Sequence, residues 1–300
     1  MKKLLVVFTK EPSGWLALMQ ENLSSAKPDW VDIVYEKDAI YKMEENYADY
    51  GLVLFLNYRQ ALHVLSDPYS AGSNQYPYAV WIHNSKESVP FHNSAHFDDW
   101  GVMANNLFAN CVGTTDFIRS SWGLESFTKI AFPIFKEDSP FSYWENKEKN
   151  SCFVVGAAFN DPIYGLDMLD DVAKANPEIN FYAHAHGETK VKNVHYIGTF
   201  SGEKYQKTLR RYEYTLSLKR CETLGISQLE AVRYGAIPLM PFDGCYPEIY
   251  KGEFLYDIRP NFKVRGTHAD LSDLVSRYTV QNTYSDLKNL LLKNPKIFKL

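Results

Sequence analysis

Short apolar runs rich in Val, Ile and Leu alternate with amphipathic stretches along most of the chain, and polar residues follow each run. Runs this short, apolar throughout, are those of a parallel sheet buried on both faces. In the N-terminal half the pattern predicts strands at residues 4–8, 31–35, 52–57, 79–83 and 110–113. Helices are expected at 15–23, with Leu16 and Met19 facing inward, at 100–108 and at 117–122; residues 67–77 read as loop. The charged stretch 140–150 (PFSYWENKEKN) reads as a linker. Alternation then restarts, with strands at 152–156, 179–183, 194–197, 214–218 and 236–241 and helices at 165–175 and 202–212. A further helix carries Ile226, Leu229 and Val232 at the spacing of one buried stripe, and Gly235 sits where a left-handed terminator is wanted. Helical segments at 269–280 and 284–293 close the chain, packing on the second block or crossing back to the first.

Two blocks of strand–helix alternation predict an α/β protein of two Rossmann-like domains facing a cleft, residues 1–145 and 146–300. A chain of 300 residues with 45% hydrophobic and 23% charged positions suits that reading. The formal net charge of −4 provides no global attraction to nucleic acid or anionic membrane. Cys111, Cys152, Cys221 and Cys245 show no metal or redox spacing, so reduced thiols and a cytoplasmic location are expected. Beside Glu222, the Cys221 thiol reads as a packed group ahead of a nucleophile. Met1-Lys-Lys precedes an apolar run too short for a signal peptide, and no stretch approaches the ~18 apolar residues of a membrane span.

The candidate chemistry concentrates in residues 216–241. Glu222 lies in the loop before a helix, beside backbone N–H groups and the positive end of the helix dipole, where phosphates bind. Two turns on, Glu230 is placed to accept hydrogen bonds from a vicinal diol such as a ribose. A diphosphate-linked sugar satisfies these features together. Elsewhere, His83 ends a strand at the edge where α/β sheets hold ligands, with a structural histidine as the alternative. Ser13 and Gly14 occupy the first strand-to-helix turn, as ligand contacts or as a plain turn. His184 and His186 form an H-x-H pair without a third metal ligand nearby. Lys204, Lys207, Arg210 and Arg211 read as a solvated helix face, with contact to a polyanion as the alternative.

Residues 222–231 (ETLGISQLEA), followed by Gly235-Ala-Ile-Pro238, resemble the E-x7-E signature of retaining nucleotide-sugar glycosyltransferases of the GT-B fold. Phe153-Val-Val-Gly156 resembles that family's opening strand and glycine turn, and residues 194–200 the strand and loop that hold the donor base. The resemblance implies Glu222 on the donor sugar, Glu230 on the ribose, and Thr199, Phe200, Gly156 and His186 around the rest of the donor. It places His83 on the acceptor side of the cleft as a catalytic candidate; Ser13 and Gly14 are expected near the acceptor or the donor phosphate, although the family's glycine-rich loop is not present there. It implies transfer from a nucleoside-diphosphate sugar such as a UDP-sugar to a hydroxyl acceptor, with retention and no metal or other cofactor. The acceptor is expected to be a glycan. A phage-type enzyme acting on hydroxymethylated DNA is the alternative, against which the acidic charge argues. The chain departs from the family's usual Arg/Lys pair for the diphosphate, since no cation occurs between Lys149 and Lys174. Lys219, Arg220 and the N–H groups of Gly225, Ile226 and Ser227 are the expected replacements. A nucleotide- or glycan-binding module without turnover is the third reading.

Overall fold

The computed structural model describes residues 2–45, 49–57, 60, 61, 64, 78–83, 111–155, 165–219 and 221–293. The chain divides into a first unit of Met1–Asp138 with Tyr278–Leu300, and a second of Ser139–Arg277. Each is built on a parallel sheet with helices around it.

In the first unit, β1 (Lys3–Phe8), β2 (Val31–Tyr35), β3 (Tyr50–Phe55), β4 (Tyr78–Trp81), β5 (Cys111–Gly113) and β6 (Phe127–Lys129) lie in the order β2-β1-β3-β4-β5-β6. Strand β3 is buried at every position, as an all-apolar run between two helical layers requires. Helix α1 (Gly14–Ser25) turns Leu16 and Met19 inward, as their spacing predicts. Helix α2 (Glu36–Glu45) is too charged for its pattern to reveal, and it packs through Ala39 and Met43. Helix α3 (Asp116–Trp122) ends at Gly123 in the left-handed conformation. The predicted loop 67–77 and helix 100–108 lie outside the described residues.

In the second unit, β7 (Glu148–Val154), β8 (Asn180–Ala183), β9 (Val194–Tyr196), β10 (Tyr212–Leu216), β11 (Ile237–Pro241) and β12 (Leu255–Tyr256) lie in the order β12-β11-β10-β7-β8-β9. Strand β7 begins inside the stretch read as a linker. Its polar start is tolerated because Glu148 accepts hydrogen bonds from Tyr182 Oη (2.6 Å) and Arg211 Nε (2.9 Å). The helices are α4 (Leu169–Ala175, after a 3-10 turn), α5 (Gly202–Leu209), α6 (Ile226–Val232), α7 (Tyr246–Ile249) and α8 (His268–Ser276). Helix α5 is shorter than its pattern predicts, because Tyr212 already pairs with Glu148 in the sheet. Gly235 follows α6 at φ +82°, the expected left-handed terminator. The buried face of α6 is Gln228, Leu229, Ala231 and Val232; Ile226, expected in the stripe, is only partly buried.

Helix α9 (Val280–Lys293) starts earlier than its pattern suggests and belongs to the first unit. Tyr284 Oη donates to Leu23 O (2.5 Å), Thr283 Oγ1 donates to Ala131 O (2.7 Å), and Asp286 accepts from Ala131 N (2.9 Å). Among the described residues no helix is long and apolar enough to cross a membrane.

Candidate active site

The strands of the second sheet all run parallel, and their order of addition reverses at β7, with β8 on one side and β10 on the other. Ligands of open α/β sheets bind at such a switch point, beyond the carboxyl ends of the strands. The loop that leaves β10 there carries Lys219 and Glu222. Its root is pinned by buried Ser217, whose Oγ accepts from Tyr246 Oη (2.7 Å) and from Lys219 N (3.2 Å). Cys221 has φ +44°, a left-handed conformation that strains a residue with a side chain. Glu222 follows, with Oε2 3.0 Å from Lys219 Nζ and Oε1 accepting from Thr223 N (2.9 Å). Both side chains of this ion pair are 17% exposed, so it is screened less than a surface pair.

The loop after β11 braces this one from behind. Cys245 N donates to Glu222 O (2.9 Å), and a Cβ on Gly244 would lie 2.8 Å from Glu222 O and 2.9 Å from Glu222 N. Gly244 also has φ +58°. Gly244→Ala is therefore expected to cost at least about 1–2 kcal/mol from conformation alone, with the clash displacing Glu222; a denaturant titration measures it.

Glu230 lies on α6 and meets α5. Ser227 donates to the Tyr205 hydroxyl, which donates to Glu230, and Gln206 also hydrogen-bonds Glu230. Tyr234 Oη donates to Gln206 Oε1 (2.7 Å), closing the network. Burial pushes the Glu230 carboxyl up to about 7, against the opposing pull of Tyr205, Gln206 and the Arg233 charge. Burial, with Glu230 adding to it, also drives the Tyr205 hydroxyl strongly upward. Tyr205 and Gln206 are absent from the sequence expectations, since nothing in a helical face foretells which helix it will meet. Gly244 was more accessible: Asp243-Gly244 is a turn dipeptide.

On the far side of β7, two loops form one layer. His184 Nε2 accepts from Phe200 N (2.9 Å), and His186 Nε2 lies 3.1 Å from Thr199 Oγ1. Lys204 Nζ sits 4.5 Å from the centre of the Phe200 ring. The H-x-H pair thus turns both Nε2 atoms to the neighbouring loop, and no group of three or more potential metal ligands gathers among the described residues. The other cations of α5 and the turn after it are individually engaged: Lys207 with Glu203 (2.8 Å), Arg210 over Tyr234 (4.9 Å) and Arg211 with Glu148 (2.9 Å).

In the first unit, Ser13 and Gly14 start α1 at the end of β1, and Gly14 takes φ +55°. His83 lies at the same carboxyl edge, its ring 3.9 Å from that of Trp15 and 5.6 Å from that of Trp81, with Nε2 donating to Leu56 O (2.9 Å). Desolvation lowers the His83 pKa to about 3. A histidine depressed in this way contributes stability that is complete above its ordinary pKa of 6.5 and is lost as pH falls toward 3. His83→Gln should remove about 2 kcal/mol of the acid-induced loss between pH 6.5 and roughly pH 5, read from unfolding at the two pH values.

Ser227, Glu230, Glu222 and Lys219 are thus carried by one β10–loop–α6 unit, while Thr199, Phe200 and His186 sit in the loops beyond β8 and β9 of the same unit. His83, Ser13 and Gly14 belong to the first unit. Gly156 and Arg220 lie outside the described residues.

No protein-family model and no curated protein matches this chain. Solved structures do. The catalytic domain of starch synthase IV from Arabidopsis thaliana, bound to ADP and acarbose, has a TM-score of 0.63 at 10% identity over 98% of this chain and 99% of its own. Anabaena Alr3699/HepE in complex with UDP has a TM-score of 0.58 at 14% identity over 98% of this chain and 95% of its own. TarM has a TM-score of 0.54 at 16% identity over 84% of this chain; the match spans 57% of TarM's length. At these identities the likeness establishes architecture: the chain has the GT-B fold of two Rossmann-like α/β units.

Proposed function

We propose that this protein is a glycosyltransferase that moves a sugar from a nucleoside diphosphate to a hydroxyl acceptor, with retention and without a metal. The observation that carries this reading is the placement of Glu222 and Glu230 on one β10–loop–α6 unit at the sheet's switch point, each carboxylate held by its own network. Glu222 accepts hydrogen bonds from the donor sugar and Glu230 from the ribose. The loops of His186, Thr199 and Phe200 hold the base. Lys219, 3.0 Å from Glu222, stands beside the bond that breaks. With Arg220, Gly156 and the first-turn N–H groups of Gly225, Ile226 and Ser227, it meets the charge that grows on the departing diphosphate. The structures with UDP and ADP bound on this fold support a nucleotide donor. His83, Ser13 and Gly14 serve the acceptor side, and the buried thiols of Cys111, Cys152 and Cys245 suit a cytoplasmic setting.

Thermal unfolding with a panel of nucleoside diphosphates and their sugars tests the donor assignment. A true ligand at about 100 times its Kd adds roughly 2.7 kcal/mol. Transfer of labelled sugar then identifies the acceptor, and the anomeric configuration of the product decides retention. Activity is expected to survive a chelator unchanged. If no nucleotide stabilises the fold, the reading is wrong.

A further inference from the structure

Next to the Glu222 loop, the same sheet edge holds a cavity of about 220 Å³ between the ends of β10, β11 and β12. Strands β11 and β12 run in register, Pro241 against Tyr256, and Phe242 N donates to Tyr256 O (2.7 Å). Two adjacent chains therefore leave the sheet side by side, one as Phe242-Asp243 and the other as Asp257-Ile258, and all four residues line the cavity with Leu218 and Tyr256. Phe242 is 61% exposed and Ile258 85%. Side by side at the rim of a cavity, these two side chains offer a ligand an apolar face.

The lining specifies the ligand's chemistry. Phe242 and Ile258 alternate with the carboxylates of Asp243 and Asp257, Met168 and Val172 add apolar surface, and among the described residues no Lys, Arg or His lines the cavity. Asp243 Oδ1 accepts from Gly244 N (2.7 Å), while its second oxygen is not used in that turn. A ligand that fits has an apolar face and a rim of hydroxyl donors, and carries no negative charge, which the carboxylates would repel. A neutral sugar ring has this chemistry, whereas a phosphodiester does not. The cavity also adjoins the reaction centre. Leu218 precedes Lys219, and the Asp243–Gly244 turn packs on the Glu222 backbone.

We propose that this cavity is a subsite for a neutral saccharide ring of the acceptor, with Phe242 and Ile258 against its C–H face and Asp243 and Asp257 accepting from its hydroxyls. The assignment rests on the glycosyl-transfer reading in naming the acceptor. The full chain, Phe242→Ala and Asp257→Asn are compared on immobilised neutral, acidic and phosphorylated oligosaccharides, with nucleotide binding measured in parallel by calorimetry. Both positions are exposed, and thermal unfolding verifies that each variant folds. The parent protein should retain a neutral saccharide, each variant should bind it at least about tenfold more weakly (~1.4 kcal/mol), and nucleotide Kd should stay within about twofold. Retention of no saccharide, retention only of charged ones, unchanged retention by both variants, or a loss confined to nucleotide binding would each overturn the proposal. Saccharide retention without any nucleotide binding upholds the subsite and sinks sugar transfer. Nucleotide binding without saccharide retention does the reverse.

Discussion

Glu222→Gln should lower sugar transfer by about 10²–10³-fold, the usual effect of removing one electrostatic stabiliser of a transition state, while nucleoside diphosphate binding changes little. The substitution preserves size and leaves an oxygen for Thr223 N, but removes the negative charge facing Lys219. Sugar hydroxyls then lose a charged acceptor, and Lys219 loses the partner that fixes its position beside the leaving group. Steady-state rates at saturating donor, set against nucleotide Kd from calorimetry, separate the two effects. Undiminished turnover in Glu222→Gln would remove this carboxylate from the chemistry.

Glu230→Gln acts on a different quantity. A hydrogen bond to a charged group contributes about 1.5–3 kcal/mol, so nucleotide Kd should rise roughly 10–100-fold on losing the ribose-facing carboxylate. The elevated pKa adds a pH signature. With the carboxyl near 7, nucleotide affinity should fall as pH drops through that value, and the variant should lose this dependence. Stability moves the opposite way. A carboxyl raised from 4.5 to about 7 keeps its proton longer in the folded chain, so its contribution is complete below 4.5 and is lost as pH rises through 7. The loss is on the order of 3 kcal/mol, and Glu230→Gln should be the more stable protein above that range. Tyr205→Phe distinguishes a ligand-facing carboxylate from a helix staple. If Glu230 only joins α5 to α6, both variants change the unfolding midpoint and leave nucleotide Kd untouched.

These expectations depend on features that differ in how visible they are along the chain. Strand β1 nearly coincides with its apolar run, because a strand buried from Leu4 to Phe8 must be apolar along that length, and the edge strand β2 matches residues 31–35 although it carries Asp32 and buries only Val31. Strand β7 overlaps the predicted linker because Glu148, Lys149 and Asn150 have loop-like composition, and the hydrogen bonds from Tyr182 and Arg211 make Glu148 acceptable in the sheet. The short strands β6 and β12 and the turn-length α7 carry too few residues for a period to show. Helix α9 follows the second unit in the chain yet belongs to the first, since a helix's apolar face shows that it packs but not on what.

By itself the amino-acid sequence determined the α/β alternation, the terminator at Gly235 and the spacing of Glu222 and Glu230, all of which follow from local periods and backbone preferences. The tertiary structure decided the strand order that makes β7 a switch point, the Tyr205–Glu230 network, the brace of Gly244 behind Glu222, and the cavity where β11 and β12 end. Those depend on pairings between residues far apart in the chain, and burial, which moves Glu230 toward neutrality, exists only once the surrounding elements have closed over it.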